Sequence, residues 1–363
     1  LAQSYLLLVT LLLTLKQAAP APELTTLPFS HGNLIFYGMK IGSGPASFYV
    51  QAGLRGRPRK LLDPTEIPSL NAYMPEDFYV SKNGRYVAYA VDQAEKPFQE
   101  IHVYDLNAGK PLPDVLRWTR VTDMAWRGDG FYYAKFVNEG RTDFKTANLN
   151  HAVFFHHLRS PQSEDRQEYL DPTHPTRFYT FLGSFDEKML FLRFNDRSGS
   201  HKGDAMFLRH EDDADKTFRP IRAEAGNGRL FLCDTVKGGI LFETTIDAPR
   251  GKVVLIDPKN PSESHWKTIV PEGPSQLESA DTNGGRLFLT YKESDGDRVL
   301  VCTLDGKVEN TIQGLGQVEV QWGRRENRFV FMSAQLGASP KIYYRYLISD
   351  RKLVPFLPPQ TAP

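Results

Sequence analysis

One pattern recurs along almost the whole chain and restricts its fold more than any other feature. From Asn33 onward, a short run rich in Val, Ile, Phe, Tyr and Leu is followed by a Gly, Asp, Asn or Pro turn and then by another such run. β-Branched and aromatic residues suit a pleated, half-buried surface, and the turn residues supply the backbone angles that a reversal needs. In Asp77–Val91 (DFYVSKNGRYVAYAV), the turn Lys82–Gly84 joins two alternating strands, and its Asn-Gly step takes positive φ at low steric cost. Helical periodicity is nearly lacking. The pattern returns every ~40–50 residues, the length of a four-stranded propeller blade. Units can be placed at Asn33–Leu62, Asp77–Leu116, Val121–Leu170, Tyr179–Ile221, Arg229–Pro271, Leu277–Gln313 and Gln317–Leu357. The expected fold is therefore all-β, a seven-bladed β-propeller of four-stranded antiparallel blades, spanning residues 25–363. Innermost strands would line a central channel, and neighbouring blades would pack about 10 Å apart. A pair of β-sandwiches would also give short strands, but would not need the same order so many times.

Charge and composition narrow the function classes. Lysine plus arginine (44) nearly cancels aspartate plus glutamate (43), and the signs are interspersed, so no broad basic face is offered to a phosphate backbone and nucleic acid is excluded as a partner. The two cysteines, Cys233 and Cys302, each sit in an apolar strand-like run and read as buried free thiols, with a disulfide as the alternative. Residues 1–24 form a hydrophobic leader whose core, Tyr5–Leu15, is too short for a bilayer span of ~20 residues. It suits the core of a truncated signal peptide, which would mean export; otherwise a cytoplasmic location is expected. A remnant helix of an upstream segment and a gene-boundary artefact are the other readings of this leader.

No serine stands in the G-x-S-x-G elbow that an α/β-hydrolase nucleophile requires. The nearest match, Gly337-Ala338-Ser339-Pro340-Lys341, reads as a loop. His156 and His157 are adjacent and would point to opposite faces of a strand, so they do not chelate one ion, and no metal or cofactor is expected. The acidic stretch Glu211–Asp215 lacks the spacing of a calcium loop and reads as a solvated turn. Gly42-Ser43-Gly44 and Gly238-Gly239 join strand to strand, without the helix N-terminus of a phosphate cradle.

Leu61-Leu62-Asp63-Pro64, Leu112–Leu116 with Ala125-Trp126, and Pro161-Gln162-Ser163-Glu164-Asp165 after His157-Leu158 resemble motifs of the propeller domain of prolyl oligopeptidases. So does Ala248-Pro249-Arg250-Gly251-Lys252-Val253-Val254, which runs on through Ile256-Asp257, His265-Trp266 and Val270-Pro271-Glu272, and so does the tail Lys341–Leu347. The resemblance covers Phe29 to Phe356 and implies a serine peptidase that cleaves after proline in short peptides. In it, the propeller caps an α/β-hydrolase domain and keeps folded proteins out. That catalytic domain and its triad are expected to be missing from this chain, which is then inactive alone. The family's substrate-facing loop would fall at Asn195–Asp204, making Asp196 and Arg197 candidate substrate-facing residues, while an aromatic the family uses near the site falls at Val121 and the tryptophan of its second blade at Phe98. The alternative is a free-standing propeller that binds a peptide or protein. With no strand evidently exchanged between the termini, ring closure is expected to rest on side-chain packing.

Overall fold

The computed structural model describes residues 21–66, 78–93, 98–119, 123–137, 149–196 and 203–357. Middle strands such as Gly130–Phe136 and Gly239–Thr244 are buried along their whole length, as a sheet with neighbours on both faces demands. The first sheet comprises β1 (Pro22–Leu24), β2 (Phe29–His31), β3 (Leu34–Ile41), β4 (Ser47–Ala52) and β5 (Arg59–Leu62); β1 and β2 both pair with β3. Next come β6 (Phe78–Val80), β7 (Tyr86–Asp92), β8 (Gln99–Asp105), β9 (Lys110–Thr119), β10 (Ala125–Arg127), β11 (Gly130–Phe136), β12 (His151–His157) and β13 (Arg166–Tyr169). Four four-stranded meanders complete the chain. They are β14 (Arg177–Gly183), β15 (Met189–Asp196), β16 (Ala205–His210), β17 (Arg219–Arg222); β18 (Leu230–Val236), β19 (Gly239–Thr244), β20 (Lys252–Ile256), β21 (Lys267–Val270); β22 (Gln276–Asn283), β23 (Arg286–Glu293), β24 (Gly296–Cys302), β25 (Val308–Ile312); and β26 (Gln317–Val320), β27 (Phe329–Gln335), β28 (Ile342–Leu347), β29 (Lys352–Pro355).

The fold is an all-β propeller, but the expected seven separate four-stranded blades do not form. Five sheets stand alone, and the second and third expected units share one eight-stranded sheet, β6–β13. The reason is β9: at ten residues it runs far enough for Thr119 to pair with Lys135 of β11, which stitches two units into one ladder. The halves of this sheet still fold onto each other, burying Ala88, Val103, Phe131 and Tyr133 between them. The first sheet departs from four strands as well, because its innermost strand is broken into β1 and β2. Pro22–Leu24, which the sequence places in the leader, is one of those pieces; residues 1–20 of the leader lie outside the described residues. No helix among the described residues is long and apolar enough to cross a membrane.

Sheets adhere through interdigitated apolar faces. Phe48 of β4 stacks on Phe78 of β6 with centroids 3.8 Å apart, both buried, and burial of each such ring contributes about 1.5–3 kcal/mol. Tyr132 and Tyr133 show the period of two at work: the first faces the β14–β17 sheet with Tyr179 and Phe181, the second faces β7 and β8. Cys233 and Cys302 are buried and unpaired in one cluster with Leu241 and Leu289. At the ring's closure, Leu24, Tyr37 and Tyr49 pack on Phe331 and Phe356, and the Tyr343 hydroxyl donates to the Leu24 carbonyl at 3.3 Å. Among the described residues no strand crosses this seam, since β1–β5 and β26–β29 each form a sheet from one end of the chain.

Candidate functional site

The strands β2, β6, β10, β14 and β26 and the turns after them line one central cavity, and the hairpins that follow the first strands gather on one face, here called the hairpin face. On that face, residues from several sheets meet across the axis. The turn after β14 brings Phe185 against Trp322, which follows β26, at a centroid distance of 4.4 Å. The Trp322 indole donates to the Cys233 carbonyl at 2.6 Å. Beside them, Lys82 donates to the Asp186 carbonyl, and its own carbonyl meets the His31 ring at 3.1 Å. Burial, then the nearby Arg324 charge, lower the His31 pKa to about 4, so Arg324 is the cation here and the imidazole is neutral. Above this plug lies a cavity of about 530 Å³, walled by Phe29, Phe78, Trp126, Phe185 and Trp322 with Asp123 among them. Aromatic walls with a few convergent polar groups are the ordinary make-up of a small-ligand or peptide site.

Next to this cavity, the groove between the last two sheets is rich in carboxylates. A second cavity, about 490 Å³, is lined by Glu278, Asp281 and Glu319 with Lys292 and Lys341. Lys341 reaches Glu319 at 3.1 Å and also borders the first cavity. Burial, with repulsion from Glu319, pushes the Asp281 carboxyl up to about 6, although Ser279 donates to it at 2.7 Å. Burial, then Asp281, push Glu243 up to about 7. A carboxyl whose folded pKa is raised is penalised in its charged form. That penalty is absent below pH ~4, where the group is protonated in both states, and is complete above about 6. Asp281→Asn is therefore expected to stabilise the chain by about 1 kcal/mol at pH 8, a figure discounted for channel solvent. It should have no effect near pH 4; urea titrations at the two pH values check this, and equal effects at both would contradict it.

Of the sequence-derived candidates, Asp196 and Phe98 are among the described residues, and both lie toward the other face. Asp196 ends β15 there, paired in the ladder with Arg177, while Arg197 lies outside the described residues, as does Val121. Phe98 is buried against Trp118 at 4.9 Å, so it packs rather than presenting a ring to the channel. The same face carries five exposed large apolar residues: Ile41, Phe231, Leu336, Ile342 and Leu357. His156 and His157 do point apart, the former wholly buried and the latter exposed.

The sequence reading missed two buried ionic clusters. Glu211, expected in a solvated turn, is 2% exposed and accepts from Arg209 Nε at 2.9 Å and from the Tyr132 hydroxyl at 2.5 Å; Arg127 pairs with it as well. His156 is held between Asp165 (2.7 Å) and Asp114 (3.1 Å). Arg209 and Glu211 are two residues apart, but the partners that bury them are not local: Tyr132 lies 79 residues from Glu211, and His156 lies 42 residues from Asp114.

The comparisons with known proteins agree with this architecture. Residues 17–357 match the family described as "Prolyl oligopeptidase, N-terminal beta-propeller domain". The prolyl endopeptidase of Elizabethkingia meningoseptica is 24% identical over 338 residues, covering 90% of this chain and 46% of its own length. A solved prolyl endopeptidase superposes with a TM-score of 0.80 at 24% identity, over 94% of this chain and 51% of that one. Prolyl oligopeptidase B from Galerina marginata superposes with a TM-score of 0.79 at 18% identity, over 98% of this chain and 54% of that one. The chain thus spans about half the length of these relatives. With its strand order, channel and extended match, the chain belongs to the prolyl oligopeptidase N-terminal β-propeller family.

Proposed function

We propose that this chain is the substrate-gating propeller of a prolyl oligopeptidase-type serine peptidase acting on short proline-containing peptides. Its partner is an α/β-hydrolase domain, and the chain has no peptidase activity by itself. The observation that carries this reading is the asymmetry of the two faces. The hairpin face is stoppered by Phe185 and Trp322, whereas the other face bears Ile41, Phe231, Leu336, Ile342 and Leu357 in the open. Exposed apolar residues gathered on one face of a ring suit a docking partner. Asp196, with which β15 ends on that face, and Arg197, outside the described residues, are assigned to the substrate side of the gate, as the family likeness implies.

The second reading, a free-standing peptide-binding propeller, is favoured by the aromatic walls of the 530 Å³ cavity. A fluorogenic Gly-Pro peptide assay separates the two. The chain alone should give no turnover; added to a separately expressed hydrolase domain of the family, it should suppress cleavage of long peptides more than of short ones. Turnover by the chain alone would refute the gating role. No effect on the hydrolase domain, together with direct peptide binding to the chain, would favour the binding module.

A further inference from the structure

A ring whose terminal sheets share no strand can open at that seam by widening the angles between its other sheets. Contacts across the channel would resist such opening with the most leverage. One segment of this chain makes them. Between β26 and β27, Gln321–Asn327 leaves its own sheet and crosses the hairpin-face mouth. It touches the adjacent β22–β25 sheet through Gly323 N–H to the Thr282 carbonyl (2.9 Å), Asn283 Nδ2 to the Gln321 carbonyl (2.6 Å) and Asn327 Nδ2 to Asn283 Oδ1 (2.8 Å). The approach is close enough that a Cβ on Gly323 would stand 2.5 Å from Asn283 Nδ2.

Farther round the ring, Trp322 donates to the Cys233 carbonyl and Arg325 to the Thr235 carbonyl (2.7 Å), both in β18. Trp322 also packs against Phe185, which follows β14, with the rings tilted by 32°. On the far side of the seam, Arg324 extends toward the Lys82 carbonyl, 3.5 Å away, in the turn after β6. The segment therefore reaches four sheets besides its own. Backbone carbonyls bonded by side chains from another sheet hold position rather than merely filling space, because each bond constrains both direction and distance.

We propose that Gln321–Asn327 is a cross-channel strap that holds the last sheet in the ring, the task that strand exchange between the termini does not perform here. This inference stands independently of the peptidase reading, since it concerns only how the chain closes on itself. The strap ties the last sheet to the far wall of the channel, and the apolar seam of Leu24, Tyr37, Phe331 and Phe356 then stays shut.

Hydrogen exchange on the full chain, followed by mass spectrometry, tests it with Trp322→Ala and Arg325→Ala. Neither side chain belongs to the apolar seam, and the contacts they lose are to β14 and β18, so a strap predicts an effect beyond those contacts. Exchange in β1–β5 and β26–β29 should accelerate about tenfold or more with Trp322→Ala, and less with Arg325→Ala, while β19–β21 keep wild-type rates. Acceleration confined to β14 and β18, where the lost contacts were, would overturn the proposal, as would a uniform rise in every sheet. Should Trp322→Ala fail to fold, Arg325→Ala and Trp322→Phe, which keeps the ring contact and loses the indole donor, give the same reading through the same pair of outcomes.

Discussion

Replacing Arg209 by Met is expected to destabilise the chain by about 3–5 kcal/mol, the range found when one partner of a buried ion cluster is removed. Arg209 is 1% exposed and its guanidinium is fully engaged: NH1 with Glu168 at 2.8 Å, Nε with Glu211 at 2.9 Å and NH2 with the Tyr132 hydroxyl at 3.1 Å. It also lies over the Phe218 ring at 4.8 Å. Methionine fills much of that volume, so the loss comes from two carboxylates left in the interior with too little positive charge. Arg127 still reaches Glu211 and Arg166 still reaches Glu168, but both arginines approach from the surface. Adding Glu168→Gln and Glu211→Gln to Arg209→Met should recover most of the loss, because a neutral cluster no longer bears the desolvation of unpaired charge. Denaturant titrations of the single and triple variants check this. If the triple variant is no more stable than the single, lost packing rather than stranded charge is the cause. The cluster joins β11 and β13 to β16, so the damage should concentrate between the eight-stranded sheet and its neighbour.

Between pH 6.5 and 9 the wild-type chain should lose stability that a His156→Gln variant never had. The buried imidazole sits between Asp114 and Asp165; burial opposes its charge, but hydrogen bonds to the two carboxylates prevail and raise its pKa to about 9. For Asp114, burial pushes upward, yet the bonds from His156 and from the Arg159 N–H hold the carboxyl below its usual range. The sign follows from proton binding. Folded His156 holds its proton up to about 9, whereas the unfolded chain releases it near 6.5. The stabilisation is thus complete below 6.5 and is lost as pH rises through 9, an amount on the order of 3 kcal/mol. His156→Gln should cost about 3 kcal/mol at pH 6 and progressively less toward pH 9. Urea midpoints at half-unit intervals provide the measurement, and parallel curves for the two proteins would mean that the imidazole is neutral in the fold.

Much of the strand content could be read directly. The turn at Lys82–Gly84 forms as expected, with Gly84 at φ 71° and its N–H bonded to the Ser81 carbonyl at 2.8 Å. The alternation of Tyr132 and Tyr133 divides them between two interfaces, and the opposed faces of His156 and His157 follow the same rule. Position along a strand, however, says which side a residue faces and not what it meets there. Glu211–Asp215, without the spacing of a calcium loop, reads as a solvated turn, and Asp212 and Asp213 do remain on the surface or near it while Glu211 turns inward to Arg209. For the candidate site, family likeness points to Asn195–Asp204, most of which lies outside the described residues, whereas Trp322 and Phe185, 137 positions apart, carry no mark in the sequence.

What the sequence by itself determined was local: the strands, the turns between them, the faces of each strand and the spacing of the units, all governed by backbone sterics and the two-residue period. Only the tertiary structure decided how many separate sheets these strands make, which charges are buried and paired, and what crosses the channel. Those outcomes depend on residues tens to hundreds of positions apart, brought together by ring closure, and a one-dimensional pattern records neither their distance nor their partners. The continuation of β9 to Thr119, where it meets Lys135 and merges two units, is the clearest case. Both residues look like ordinary strand positions until the ring sets them side by side.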